Sequence, residues 1–271
     1  MQGLQRDRYA GMNGLLVTAT VAPLLAAPSL QSEQVSQMVL GEGAEVLEIS
    51  GEMLRVRTLL DDYAGWIAAG YVAPLPLAEV EHWLANAAWS DGALLSDSVG
   101  IAIRAPHRAR LILDGDDRVR LPGGGSADVI AGSVRRYDDM VSRARAIAPA
   151  DWAWGEFAGT PYLWGGITGA GIDCSGLTQN TFLARGVTLP RDASLQAAVG
   201  RVVDPVDRRT GDLLFFRSRD RDRISHVGIL GQDEQMVHST VEVGGVIRES
   251  LAANSRAHAL LARLVAVRRV D

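Results

Sequence analysis

The chain carries one cysteine, Cys174, and five histidines, so any thiol chemistry has a single centre. One cysteine allows neither an intrachain disulfide nor a multi-cysteine zinc site. A thiol by itself is a small apolar side chain; it becomes a nucleophile where its surroundings favour the thiolate. Cys174 lies in Gly169-Ala-Gly-Ile-Asp-Cys-Ser-Gly-Leu177. The glycines predict a tight loop and Asp173 an N-cap, which puts Cys174 in the first turn of a helix. There the helix dipole is expected to lower the thiol pKa, and unpaired backbone N–H groups can hold an oxyanion.

The thiol also needs an imidazole, to take its proton and later return it to a leaving amine. His226 opens the apolar stretch Ser225-His-Val-Gly-Ile-Leu230, and His238 ends Met236-Val-His-Ser239. A turn at Gly231-Gln-Asp-Glu234 would set both histidines on one face of a hairpin. His238 could then bind one ring nitrogen of His226 and fix its orientation, as the third member of a triad does. Two histidines without a carboxylate or thiolate at ligand spacing do not close a zinc site, so no metal and no cofactor is expected. His82, His107 and His258 have no partners in the sequence and are read as structural.

These groups need a helix held against a sheet. Helices are predicted over 151–157 and 174–185, the second ended by Gly186, with strands at 212–216, 226–230 and 236–239. Residues 256–269 supply a last helix or strand. Upstream, short strands at 15–22, 34–40, 44–49, 54–59 and 65–68 alternate with turns, as in a small β-barrel or sandwich. Residues 76–85 read as a linker with a little helical character. Further short strands are predicted at 93–96, 100–103, 109–114 and 118–121, then a helix over 138–147.

Composition narrows the chemistry. Hydrophobic residues make up 47% and charged residues 22% of the 271, as in ordinary globular proteins. The net charge of −5 offers no electrostatic reason for a nucleic-acid partner. All 27 basic residues are arginine. Schiff-base, pyridoxal-phosphate and P-loop lysines and a Ser–Lys dyad are therefore excluded. The apolar stretch 14–27 behind Arg6 and Arg8 superficially resembles an export signal. Thr18, Thr20 and Pro23 interrupt it, and Asp7 and Tyr9 stand where a basic segment belongs, so a first strand is expected instead. No segment reaches the ~20 apolar residues of a membrane span.

Five segments stand in a telling order: Pro161-Tyr-Leu-Trp-Gly-Gly166, Asp173-Cys-Ser-Gly-Leu177, Pro190-Arg-Asp192 with Gln196, Gly211-Asp-Leu-Leu-Phe-Phe216, and Ser225-His-Val-Gly-Ile229. Over about residues 145–265 the chain resembles the NlpC/P60 family of cell-wall cysteine peptidases. The resemblance implies a papain-like α+β domain with Cys174 as nucleophile, His226 as general base and acid, and His238 as the orienting residue. Ser50-Gly-Glu-Met-Leu-Arg-Val-Arg-Thr58, Asp62-Tyr-Ala-Gly-Trp-Ile67 and Tyr71-Val72 resemble bacterial SH3 domains, in which a hairpin runs into a Gly-Trp strand and a closing 3₁₀ turn. A second, more divergent SH3-like barrel is expected next, giving modules at 1–75, 76–140 and 141–271.

Two SH3-like modules before a peptidase is the layout of γ-D-glutamyl-L-diamino-acid endopeptidases. That likeness implies a murein peptide substrate, L-Ala-γ-D-Glu-diamino acid with a free N-terminus, whose amine is read by the first module. By position Tyr63 matches the family tyrosine, and Glu33 is the candidate carboxylate. Asp173, Ser175 and Asp192 are implied to line the γ-D-Glu pocket, with Trp164 as a wall of the cleft. One departure stands out: Ala193 occupies a position where serine often follows the Arg-Asp pair, with Ser194 one place later. Each of these also has a structural reading: Tyr63 packing in its barrel, Glu33 as a solvated charge, Asp173 as a cap, Asp192 as a turn or salt-bridge residue. A cytoplasmic setting is expected, with a secreted or wall-associated one as the alternative. The rival functions are an acyltransferase or amidase using the same thiol, and a wall-binding protein acting through its SH3-like modules.

Overall fold

The computed structural model describes residues 11–220 and 222–270; Arg6, Asp7, Arg8 and Tyr9, which bore on the export-signal reading, lie outside them. Contacts divide the chain into two units, one ending at Met140 and one beginning at Val141.

In the first unit, β1 (Gly14–Val17), β2 (Val21–Leu25), β3 (Gln34–Val39), β4 (Gly43–Ser50), β5 (Met53–Thr58), β6 (Ala64–Ala68) and β7 (Val72–Leu75) pair in the order β3-β2-β6-β5-β4-β1-β7. Strand alternation builds the core: Leu54 and Val56 of β5 are buried while Arg55 and Arg57 between them are exposed. The single strand expected over 15–22 is two strands. Thr18 donates both its backbone N–H (2.9 Å) and its hydroxyl (3.1 Å) to the Tyr71 carbonyl, which turns the chain between β1 and β2. A 3₁₀ turn, Ala69–Tyr71, leads into β7.

The stretch read as a linker is a ten-residue helix, α1 (Leu77–Asn86). Its Leu77 N–H donates to Asn13 Oδ1 at 2.9 Å, and its buried Val80 lies over Gly43 of β4. Both supports come from residues distant in sequence. The second sheet joins β8 (Ala88–Ser90), β9 (Leu94–Asp97), β10 (Ala102–Arg104), β11 (Arg110–Leu113), β12 (Arg118–Arg120), β13 (Ser126–Ala131) and β14 (Val134–Arg135) in the order β10-β9-β13-β12-β11-β8-β14. Counted from its own first strand, this is the strand order of the first sheet, so the second module repeats the first one's topology. A buried Arg108–Glu42 ion pair of 2.7 Å and a hydrogen bond of 2.8 Å from Arg110 N–H to the Leu40 carbonyl pin the two sheets together. Gly41 sits at that junction with φ +77°, and a Cβ there would fall 1.8 Å from the Arg110 carbonyl oxygen, so only glycine fits.

The division between units falls inside α2 (Tyr137–Arg145). The second unit continues through α3 (Pro149–Phe157), the hairpin β15 (Ile167–Thr168) and β16 (Gly171–Ile172), α4 (Cys174–Ala184) and α5 (Ala193–Gln196). Then come β17 (Arg201–Val202), β18 (Leu213–Arg217), β19 (Ile224–Leu230), β20 (Gln235–Thr240), β21 (Gly245–Ser250), α6 (His258–Leu261) and β22 (Leu264–Arg269). The six strands form an antiparallel sheet in the order β17-β22-β18-β19-β20-β21. Phe215, Val227, Ile229 and Val237 pack with Leu177 and Phe182 of α4, while Leu214, Phe216, Leu230 and Met236 join Leu251 in a second cluster.

Helix α4 is buried along its whole length, although half of it is polar. Each polar side chain is matched: Thr178 with Gln196 Oε1 (2.6 Å), Gln179 with the Leu189 carbonyl (3.0 Å), Asn180 with the Ile167 carbonyl (3.0 Å) and Thr181 with the Leu177 carbonyl (2.7 Å). Among the described residues, no helix is long and apolar enough to cross a membrane.

Candidate active site

Asp173 starts α4. Its backbone is extended (φ −95°, ψ 179°), and its Oδ1 accepts from the Gly176 N–H at 2.7 Å, so Cys174 is the first helical residue. Oδ2 accepts from the Gly165 N–H at 2.9 Å, and the Arg191 guanidinium grips both oxygens, at 3.0 and 2.6 Å. The Ser175 hydroxyl donates to Asp173 Oδ1 (3.2 Å) and accepts from Arg191 (2.8 Å). Gln196 ties the same region together, donating to the Ser175 and Pro190 carbonyls. The loop 161–166 packs tightly on this turn: a Cβ on Gly176 would lie 2.3 Å from the Gly166 carbonyl oxygen.

Strands β19 and β20 pair only at Ile229–Val237 and Leu230–Met236, then part. In the opening, the N–H of Val227, the residue after His226, donates to the Cys174 sulfur, as does the Ser175 N–H. These bonds favour a thiolate, but burial and the Asp173 charge outweigh them and push the thiol up to about 12. The lowered thiol pKa expected from the helix start is therefore not what the site provides. Cys174 is only 7% exposed, and the helix terminus acts against a large desolvation cost.

His226 and His238 share a sheet face, the one that carries Phe216 opposite His226. His226 Nε2 and His238 Nδ1 are 2.7 Å apart, which leaves His226 Nδ1 for another partner. Burial, then the neighbouring His238, Arg263 and Arg256, lower the pKa of His226 well below the ordinary imidazole value. Both shifts favour the neutral pair, thiol and imidazole. Gly228 keeps the approach open, since a Cβ there would press on Met236 (2.5 Å) and on Cβ of His238 (3.3 Å).

Three residues without a role in the sequence reading belong to this neighbourhood. Arg191 anchors Asp173. The phenol of Tyr162 is raised in pKa by burial and then by the charges of Cys174 and Asp173. Glu249 Oε1 lies 2.6 Å from His238 Nε2. Tyr162 stood in a quoted motif. Glu249 stands on β21, a strand absent from the predicted elements.

The other expected residues are placed as follows. Trp164 is 56% exposed on the loop before β15. Asp192 is half-buried at the N-cap position of α5, with no side-chain capping bond. Within the first unit, Tyr63 packs against the core of the first sheet, and Glu33 is exposed just before β3.

A lone thiol at the head of a buried helix, set at the split of an antiparallel sheet bearing a histidine pair, defines a papain-like α+β domain. Residues 159–265 match the NlpC/P60 family model, and residues 24–70 match the model described as the bacterial dipeptidyl-peptidase Sh3 domain. The C-terminal part of the chain thus carries an NlpC/P60 domain, and the N-terminal part a bacterial SH3 domain. A γ-D-glutamyl-L-lysine dipeptidyl-peptidase of Bacillus subtilis (strain 168) is 48% identical over 84 residues, 31% of this chain and 28% of that protein. A protein of the same name from Bacillus cereus (strain ATCC 10987 / NRS 248) is 33% identical over 149 residues, 51% of this chain and 43% of that one. The matches therefore span less than half the length of these two relatives. The crystal structure of an NlpC/P60 family protein from Bacillus cereus ATCC 10987 shares the fold, with a TM-score of 0.77 at 21% identity over 94% of this chain and 99% of that one.

Proposed function

We propose that this chain is a cysteine endopeptidase that hydrolyses the γ-D-glutamyl–diamino-acid bond of murein peptides with a free N-terminal L-Ala. The observation that carries the reading is the junction at Val227: the Cys174 sulfur is bonded to the backbone beside His226, whose far nitrogen is held by His238. The names of the two Bacillus relatives and the description of the matched SH3 model support the choice of bond.

In this reading the modules are 1–75, 76–140 and 141–271. His226 Nδ1 takes the thiol proton as the Cys174 sulfur attacks the γ-carbonyl carbon of D-Glu. The developing oxyanion is met by the Cys174 N–H at the helix start and the Tyr162 hydroxyl. The C–N bond to the diamino acid then breaks, and the imidazolium returns its proton to the leaving amine. Water attacks the thioester with His226 again as base, releasing L-Ala-γ-D-Glu and restoring the thiol. His238 orients His226 throughout. Ser175 and Asp192 help form the γ-D-Glu pocket with Asp173 behind them, Trp164 walls the cleft, and Tyr63 and Glu33 read the substrate amine.

The test is release of L-Ala-γ-D-Glu from the tripeptide L-Ala-γ-D-Glu-L-Lys. Cys174→Ala should lower kcat by ~10³-fold or more. Unchanged turnover in that variant would remove Cys174 from the mechanism.

A further inference from the structure

We propose that Glu249 is a positioning residue that selects the tautomers of both histidines, so that His226 presents a bare Nδ1 to Cys174. The proposal rests on the reading of His226 as the base. Strand β21 pairs with β20 so that Met236 lies opposite Glu249 and His238 opposite Ile247. His226, His238 and Glu249 consequently project from one face of three successive strands. The links are short: 2.7 Å between His226 Nε2 and His238 Nδ1, then 2.6 Å between His238 Nε2 and Glu249 Oε1.

Direction follows from the end of the chain. A carboxylate only accepts, so His238 Nε2 must carry a proton and donate it. A neutral His238 then has a bare Nδ1, which accepts from His226 Nε2–H. A neutral His226 with its proton on Nε2 has a bare Nδ1, the form a general base requires. Without Glu249, His238 is free to carry its proton on Nδ1. It would then donate to His226 Nε2 and force the His226 proton onto Nδ1, where it blocks the thiol. A wrong tautomer in a triad of this kind costs as much as ~10⁴-fold in kcat.

The surroundings keep Glu249 in the required state. His238 is 1% exposed and the Glu249 side chain 12%. Burial alone would raise the Glu249 carboxyl, but His238 and Arg256 together hold it below the usual carboxylate range. Arg256 bonds both carboxylate oxygens, through Nε at 3.0 Å and through Nη2. Arg256 also pairs with Glu242 (2.7 Å), which pairs with Arg219 (3.0 Å). Facing His226 are His238, Arg263 and Arg256. Glu249 is the anion that offsets these cations when His226 becomes imidazolium.

Full-length Glu249→Ala and Glu249→Gln decide the matter on the L-Ala-γ-D-Glu-L-Lys tripeptide. Glu249→Ala should lose ~100-fold or more in kcat with little change in KM. Glu249→Gln keeps an oxygen for His238 Nε2–H and should stay within ~10-fold of wild type. Removing the negative charge destabilises the His226 imidazolium, so the acid limb of kcat/KM in Glu249→Gln should move to lower pH. A purely structural role would leave that limb in place. Ring ¹⁵N shifts read the tautomers without substrate: His238 should be Nε2–H in wild type and shift toward Nδ1–H in Glu249→Ala. An Ala variant within about threefold of wild-type kcat, or an unchanged His238 tautomer, would overturn the proposal. If the wild-type protein fails to cleave the tripeptide, the substrate reading falls, while the ring shifts still decide the role of Glu249.

Discussion

Desolvation acts on the buried Cys174 and the half-buried His226 with opposite consequences for their protons. It keeps the thiol protonated, up to about 12, and the imidazole unprotonated, well below its usual value. In our reading the resting site is then a neutral pair, and the proton moves only as the sulfur attacks. Because the thiol pKa is raised, thiolate is scarce at neutral pH and grows as pH rises. Alkylation of Cys174 by iodoacetamide should accelerate about tenfold per pH unit between pH 7 and 10, with no fast plateau near pH 5–7. Such a plateau would mean a preformed thiolate–imidazolium pair. The candidate residues of the site, Cys174, His226 and His238, were legible in the sequence, since one cysteine after Asp173 and two strand histidines leave few choices. Their protonation was not legible. A helix start is a local feature, whereas burial of the sulfur depends on β19, which lies far along the chain.

At the scale of elements, the head of α4 depends on two constraints that local sequence shows unevenly. The glycines of Trp164-Gly-Gly166 and Cys174-Ser-Gly176 are visible as motifs, and their backbones touch. Gly176→Ala should lower full-chain stability by about 2 kcal/mol or more, because the added methyl meets a carbonyl oxygen and not a flexible side chain. Replacing Asp173 by Ala removes the cap and strands the buried Arg191, at a cost of about 3–5 kcal/mol. Urea midpoints of the full-length variants measure both, and a shift under about 0.5 kcal/mol in either would contradict the packing described. The helix was found through its cap, since its polar residues Thr178 to Thr181 hide any apolar stripe. Strand β21, Gly245-Val-Ile-Arg-Glu-Ser250, has too short an apolar run to declare itself beside the turn at Gly244, and with it Glu249 was missed. Likewise α1 is a helix because Asn13 caps its first N–H and β4 receives Val80, supports that no local window contains.

At the scale of the whole molecule, the layout was legible where motifs are dense and faint where only topology persists. The first sheet carries the Gly65-Trp66 signature; the second lacks it and still repeats the strand order, since a strand order survives changes in the side chains that first marked it. In our reading the first module recognises the substrate amine. Acetylating the amino terminus of the tripeptide should then reduce kcat/KM by ~10²-fold or more, while Tyr63→Phe and Glu33→Gln should raise KM with little effect on kcat. Equal cleavage of free and acetylated tripeptide would remove Tyr63 and Glu33 from substrate recognition. The most direct test of the central claim is labelling by L-Ala-γ-D-Glu chloromethyl ketone, which joins the proposed acyl group to a thiol-reactive carbon. We expect one label per chain, on Cys174, with activity lost in step and with protection by the tripeptide. Tripeptide hydrolysis persisting in fully labelled protein, or inactivation with Cys174 unlabelled, would contradict it.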